Sequence, residues 1–254
     1  MMLGKHPATP GAVKLKLKDY INTSVLPTPP WNFGFDNLVN DDQGAGRSWD
    51  MLGNDQWGDC VEAGAAHETM VLNAQAGKVV TFSRDSVLAD YSAATGFNPN
   101  DPSTDRGTWM PGYASYRKKT GIVDANGVRH KVGAYLAITP RDIEETITAA
   151  YVFGGAVGIG FSCPNTIFQQ FSNNEAWHVV PGTHNVGGHY VPFVAHRKSM
   201  LRIVTWGREQ FMKPGYFENY NDETLVYLSE EMLTGGVSLN GFDLAHLQAD
   251  LAAL

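Results

Sequence analysis

The pattern of apolar and polar positions changes character near the middle of the chain. Residues 1–35 are rich in Pro, Gly and Thr, and Pro27, Pro29 and Pro30 exclude a helix, so they read as an extended arm. Residues 40–59 are dense in Gly, Asp and Asn and read as loop. Asp59 then supplies an N-cap for a helix beginning at Cys60, the Ala-rich segment CVEAGAAHETMVLNAQ, which closes at Gly77. Ser83 predicts a short second helix through Tyr91, and WMPGYASYRKKTG predicts a third that ends at Gly121. VRHKVGAYLAI alternates in the manner of a strand. Thr139-Pro140 opens a helix over TPRDIEETITAAYVFG, with acidic residues in its early turns. From there AVGIGFSC, HYVPFVAHR and MLRIVTWG are short β-branched or aromatic runs separated by turn residues. Helices first and strands later predict an α+β chain with two lobes. In the tail, a Gly-rich hinge precedes an amphipathic helix with Leu247, Leu251 and Leu254 at helical spacing, a stripe that packs on its own domain more readily than on a partner.

Composition narrows the function. A chain of 254 residues buries a sizeable core without staples. A formal charge of -7 argues against a general nucleic-acid binder. The one local basic excess, Lys14, Lys16 and Lys18, reads as a solvated arm. No apolar run approaches the roughly 18 residues of a membrane span, and MMLGKHPATPG lacks the apolar stretch of a secretory signal. A cytoplasmic or virion-associated protein without membrane contact is expected. Cys60 and Cys163 suggest no disulfide framework, and two free thiols fit a reducing compartment.

Three segments carry candidate chemistry. In NDQWGDCVEAGAAH, a cysteine at a helix N-terminus gains from the macrodipole and the unpaired N–H groups, which favour the nucleophilic thiolate. The bland reading of the same cysteine is an inert, buried one on an Ala-rich helix. In NVGGHYVPFVAHR, His189 follows two glycines that leave its imidazole little steric cover, and imidazole is the usual base for a thiol. Its bland reading is a strand-end histidine satisfied by backbone. In RIVTWGREQFMKPGYF, Trp206 fits a packed corner, where an indole shields a histidine's hydrogen bond from water.

Together these pieces resemble the papain-like cysteine peptidases. The matching stretches are Gln56–Cys60, Gly187–Val194 and Val204–Gly207, and the intervening pieces follow in the family's order over about residues 27–217. The resemblance implies a two-lobe α+β fold. A helical lobe with a long central helix, about 50–125, precedes an antiparallel sheet or barrel lobe, about 126–217, inside a domain spanning 36–235; an arm over 1–35 and a tail helix over 236–254 flank it. It implies Cys60 as nucleophile, His189 as base, an oxyanion amide from Gln56 (placed first) or Asn54, and Gly58, Gly188 and Trp206 along the substrate groove. The substrate implied is a peptide or protein, with no cofactor and no metal.

The sequence departs from the family at the residue that orients the histidine. The family's Asn aligns with Val204, which cannot hydrogen-bond imidazole, and its Ser with Thr205. Thr205 replaces the orienter only through a one-residue register shift, which flips a strand side chain to the other face. This departure, with the arm and the tail helix, motivates an alternative: a catalytically impaired scaffold that binds assembly partners, such as a phage virion component. His67 reads as a satisfied helix histidine. His178, His184, His189 and His196 match no zinc spacing, and DDQGAG and GGAVGIG lack the Lys-Ser/Thr of a phosphate loop.

Overall fold

The structure, a computed structural model, describes residues 1–36, 49–155, 157–230, 233 and 241–253. The loop expected over 40–59 and the hinge before the tail helix therefore lie partly outside the described residues, and Leu254 and DDQGAG lie wholly outside them.

The central helix α1 spans Cys60–Gln75 and is buried from Cys60 through Val71. Small and apolar residues dominate that stretch, but Glu62, His67, Glu68 and Thr69 are buried with them and find polar partners in Thr108, the Trp49 carbonyl, Arg117 and the Ala65 carbonyl. Asp59 occupies its N-cap position, but its side chain makes no capping hydrogen bond. Gly64 lets α1 settle onto the sheet, since a Cβ there would stand 2.5 Å from the Tyr190 ring. Helix α2, Arg84–Thr95, starts at Ser83 as expected, with a full capping box to Ser86, and runs one turn beyond Tyr91 to an αL Gly96. Helix α3 is Met110–Lys119. Helix α4, Ile143–Val152, begins later than Thr139-Pro140 suggested, because Asp142 is its cap and accepts from Glu145 N–H.

The strands are β1 Phe33–Gly34, β2 Ile122–Val123, β3 Arg129–His130, β4 Ala134–Ile138, β5 Val157–Pro164, β6 Asn185–Arg197, β7 Met200–Thr205, β8 Arg208–Met212 and β9 Asn221–Leu228. The main sheet is antiparallel in the order β4-β9-β5-β6-β7-β8, with β1 alongside β6. Among the described residues this path stays open, so the second lobe is a sheet and not a closed barrel. VRHKVGAYLAI divides into β3 and β4, and β3 pairs with β2 in a separate ribbon. Short helices α5, Ile167–Ser172, and α6, Pro214–Tyr220, cover one side, and α7 is Leu244–Ala253.

Two apolar clusters meet at the sheet. One joins the sheet to α4, α6 and α7, and the other packs α1 and α3 against Tyr190, Val204 and Tyr227. Arg117 of α3 is almost wholly buried, pairs with Glu68 of α1 and lies 3.9 Å over the Tyr227 ring. Residues 1–36 lie along this same body. Leu17 and Tyr20 are core residues, Ile21 bridges to Phe242, and Phe33–Gly34 pairs with β6. Helix α7 buries Leu244 and Leu247, and its Asp250 accepts a 2.6 Å hydrogen bond from Tyr20.

Candidate active site

The mouth of α1 faces the start of β6. Cys60 is the first residue of the helix, and His189 pairs with Phe161 in the sheet. The two line one small cavity of about 10 Å³ with Asn54, Val204, Thr205 and Trp206. That is room for about one water molecule. Both groups are deeply buried, Cys60 at 2% and His189 at 1% exposure. A far larger hollow, about 1080 Å³, lies at the other end of α1 between Gln75, His130 and Phe153 and contains neither residue.

Thr205 answers the question left by Val204. Its Oγ1 hydrogen-bonds His189 Nε2 at 2.7 Å, while His189 Nδ1 has no partner among the described residues. Val204 also lines the cavity but is apolar. Trp206 and Gly207 form a two-residue hairpin turn, with φ of 44° and 76°, between β7 and β8. The turn brings the Trp206 ring over the histidine, with centroids 4.6 Å apart and planes 22° apart. The imidazole is thus held on one nitrogen by Thr205 and on one face by an indole.

The two amide candidates separate. Gln56 is exposed, and its Oε1 accepts from Arg84 at 2.7 Å, away from the cavity. Asn54 is buried, lines the cavity, and donates from Nδ2 to the Trp57 carbonyl at 3.0 Å. The geometry therefore reverses the order of preference drawn from spacing. Leu52 and Gly53, at φ 54° and 112°, turn the loop so that the amide six residues before the cysteine points inward.

Burial opposes charge on both Cys60 and His189. The Cys60 thiol is pushed up to about 12, chiefly by desolvation and partly by Glu62 and Asp59, against lowering by backbone N–H groups of Tyr190 and Gly4. Desolvation alone pulls His189 down to about 3. The thiolate expected of a helix N-terminus is therefore not the favoured state here, and the pair is a neutral thiol and a neutral imidazole. His67 is a satisfied helix histidine, 2.5 Å from the Trp49 carbonyl. Cys60 and Cys163 are both free and buried. Among the described residues no three His, Cys, Asp or Glu are placed to hold a metal ion.

What covers the cysteine is the start of the chain. Met2 N–H donates to Asn54 O at 2.9 Å, and Trp206 Nε1 donates to Met2 O at 3.2 Å. Gly4 and Lys5 N–H donate to Gly188 O at 3.1 and 3.0 Å. From the helical lobe, Thr108 N–H donates to Gly4 O at 2.7 Å, and His6 N–H donates back to Thr108 O at 2.9 Å. Glycines admit this extended segment: a Cβ on Gly107 would stand 2.0 Å from Gly4 O, and one on Gly188 2.2 Å from Lys5 O. Gly58 touches the same segment at Leu3 and Gly4. Gly58, Gly188 and Trp206, the residues expected along the groove, thus line a groove filled by residues 2–6. Nothing in the apolar pattern signals this pairing, because it is made by backbone across the whole chain.

No protein-family model and no curated protein matches the sequence. Solved structures do match. Xylellain, a cysteine protease from Xylella fastidiosa, superposes with a TM-score of 0.64 at 16% identity over 89% of this chain and 96% of its own. A proCathepsin B from Trypanosoma congolense gives 0.64 at 12% identity over 90% and 87%. A cysteine protease from Carica candamarcensis, solved in complex with E-64, gives 0.55 at 14% identity over 79% and 99%. Set beside the helix-borne Cys60 and strand-borne His189 across one cavity, these likenesses identify the fold: the chain is built on the two-lobe architecture of the papain-like cysteine proteases, in a form that has diverged far in sequence.

Proposed function

We propose that this chain is a cysteine-dependent hydrolase of peptide bonds, with Cys60 as nucleophile and His189 as base. The observation that carries the reading is the histidine. Nε2 is held by Thr205, Nδ1 has no hydrogen-bond partner among the described residues, and His189 lines the same small cavity as Cys60. A hydroxyl on one nitrogen fixes ring direction and leaves the other to exchange a proton, which is what an orienting residue does for a catalytic histidine.

In the reaction, Cys60 Sγ gives its proton to His189 Nδ1 and attacks the substrate carbonyl carbon. The carbonyl oxygen takes the electron pair, and the Cys60 backbone N–H and the Asn54 amide stabilise it. Collapse of the adduct breaks the C–N bond, and the leaving amine takes the proton from the imidazolium. Water, deprotonated by His189, then splits the thioester, releasing the acid and restoring the thiol. Substrate needs the groove that residues 2–6 occupy, so the described arrangement is a closed one. The assembly-subunit alternative gains no support, since both the arm and α7 pack on their own chain.

The test is hydrolysis of an unstructured peptide by the full chain and by the Lys5→Ala variant, whose covering strand is loosened. Turnover abolished by Cys60→Ala and by His189→Ala, with alkylation by iodoacetamide falling on Cys60 and not Cys163, is expected. Equal, slow alkylation of both cysteines in both proteins, without turnover, would falsify the reading.

A further inference from the structure

Lys5 is the residue of the covering strand with the most unusual surroundings. Its side chain is fully buried, although lysine is almost never so unless paired. It lies over Gly160 of β5, where a Cβ would stand 2.1 Å from Lys5 Cε. Its ammonium reaches Asp222 Oδ1 at 2.9 Å and Glu223 Oε2 at 4.0 Å, both at the start of β9. It also donates to the His6 carbonyl at 3.0 Å. Ser162 Oγ donates to Asp222 Oδ2 at 2.9 Å and steadies that carboxylate. The backbone of Lys5 bridges antiparallel to Gly188, the residue directly before His189.

Two half-buried carboxylates on adjacent residues are costly without a cation. Burial pushes Glu223 up to about 7, Lys5 opposes that rise, and Asp222 adds to it. The hollow is long enough for a lysine stem because position 160 has no side chain. A glycine floor, an acidic end and a backbone edge beside the dyad together form a socket for an extended, positively charged side chain.

We propose that this socket, Gly160 with Asp222 and Glu223, reads a lysine or arginine side chain of the peptide in the groove, and that Lys5 is its resident occupant. The proposal rests on the reading that the groove beside Cys60 takes peptides. Substrate and covering strand compete for one place, so a basic peptide displaces residues 2–6 more readily than a neutral one.

The test is binding to the Lys5→Ala variant in a Cys60→Ala background, where no turnover intervenes. The probes are two fluorescent peptides that differ only in lysine against norleucine at one position. The lysine peptide should bind at least about tenfold tighter, less so as salt rises, and the margin should vanish with Asp222→Asn and Glu223→Gln together. Lys5→Met, which keeps the stem and removes the charge, repeats the measurement if Lys5→Ala melts poorly. Equal binding of the two peptides, no binding of either, or a preference untouched by the acidic substitutions overturns the socket. Turnover by the Cys60 protein without charge preference overturns the socket and leaves the hydrolase standing. Charge-selective binding without turnover by the Cys60 protein does the reverse.

Discussion

Thr205 Oγ1 stands 2.7 Å from His189 Nε2, which leaves Nδ1 for the proton exchange with Cys60 that the proposed function requires. A threonine thus fills the place where the fold's relatives are expected to carry an amide. Replacing it with valine keeps shape and removes the bond. Thr205→Val is expected to lower kcat by about 10- to 100-fold with little change in KM, since orientation of the base matters after substrate is bound. It should also lower stability by about 1–3 kcal/mol, because a buried ring nitrogen loses its partner. Thr205→Ser should restore most of both. Steady-state kinetics and thermal melts of the three proteins check this, and a valine variant with wild-type kcat would remove Thr205 from the mechanism.

Residues 2–6 should help set the charge state of Cys60 and His189. Desolvation raises the Cys60 thiol to about 12 and lowers His189 to about 3, and both shifts belong to the closed groove. Deleting residues 2–6 should let water in, lower the thiol and raise the imidazole. Alkylation of Cys60 near pH 7 is therefore expected to accelerate at least tenfold, with Cys163 unchanged. Mass spectrometry of labelled peptides reads the two cysteines separately; acceleration at both would mean general loosening.

Acid should destabilise the fold through its buried histidines. Burial lowers His67 to about 4 and His189 to about 3, below the value near 6.5 of an unfolded chain. Between those limits the unfolded state binds more protons, so stability is full above about pH 6.5 and drains as pH falls. His67 alone contributes on the order of 3 kcal/mol to that loss by pH 4. Glu62 works the other way. Burial raises it to about 8, so its share of stability is present below about pH 4.5 and is lost as pH rises through 8. Melting temperature should therefore peak in mildly acid to neutral buffer. His67→Gln should flatten the acid limb and Glu62→Gln the alkaline one.

The Arg117–Glu68 pair should punish half-removal. Arg117→Met leaves a buried carboxylate with only Tyr190 as partner among the described residues and is expected to cost about 3–5 kcal/mol. The double variant with Glu68→Gln should recover much of that. Denaturant melts of the two single variants and the double variant give the coupling directly, and additivity would show the pair to be unimportant.

Much of the site was legible because its pieces are local. A cap-position acid before Cys60, and two glycines before His189, announce themselves in a few residues. What stayed hidden depends on register or on distant backbone. Thr205 reaches the imidazole while Val204 packs beside it, a choice made by the Trp206–Gly207 turn and by the bulge between Phe193 and Ala195. Asn54 outranks Gln56 because of positive-φ residues that spacing cannot reveal. β9 begins with the polar run NDET, which carries no apolar alternation to mark it as a strand, yet its Asp222 and Glu223 face the Lys5 ammonium. The extended segment over residues 2–6 has no periodic signal at all, since glycines on three distant segments admit it.

Arg117 has one more implication. Rooted in α3, it grips Glu68 on the central helix, while Tyr190 of β6 donates to that carboxylate and Tyr227 of β9 lies under the guanidinium. This rivet runs straight through the boundary between the lobes, so they are ill suited to swinging apart like jaws. On the proposed function, a peptide would then reach Cys60 by peeling residues 2–6 from their bed of backbone hydrogen bonds rather than by parting the lobes.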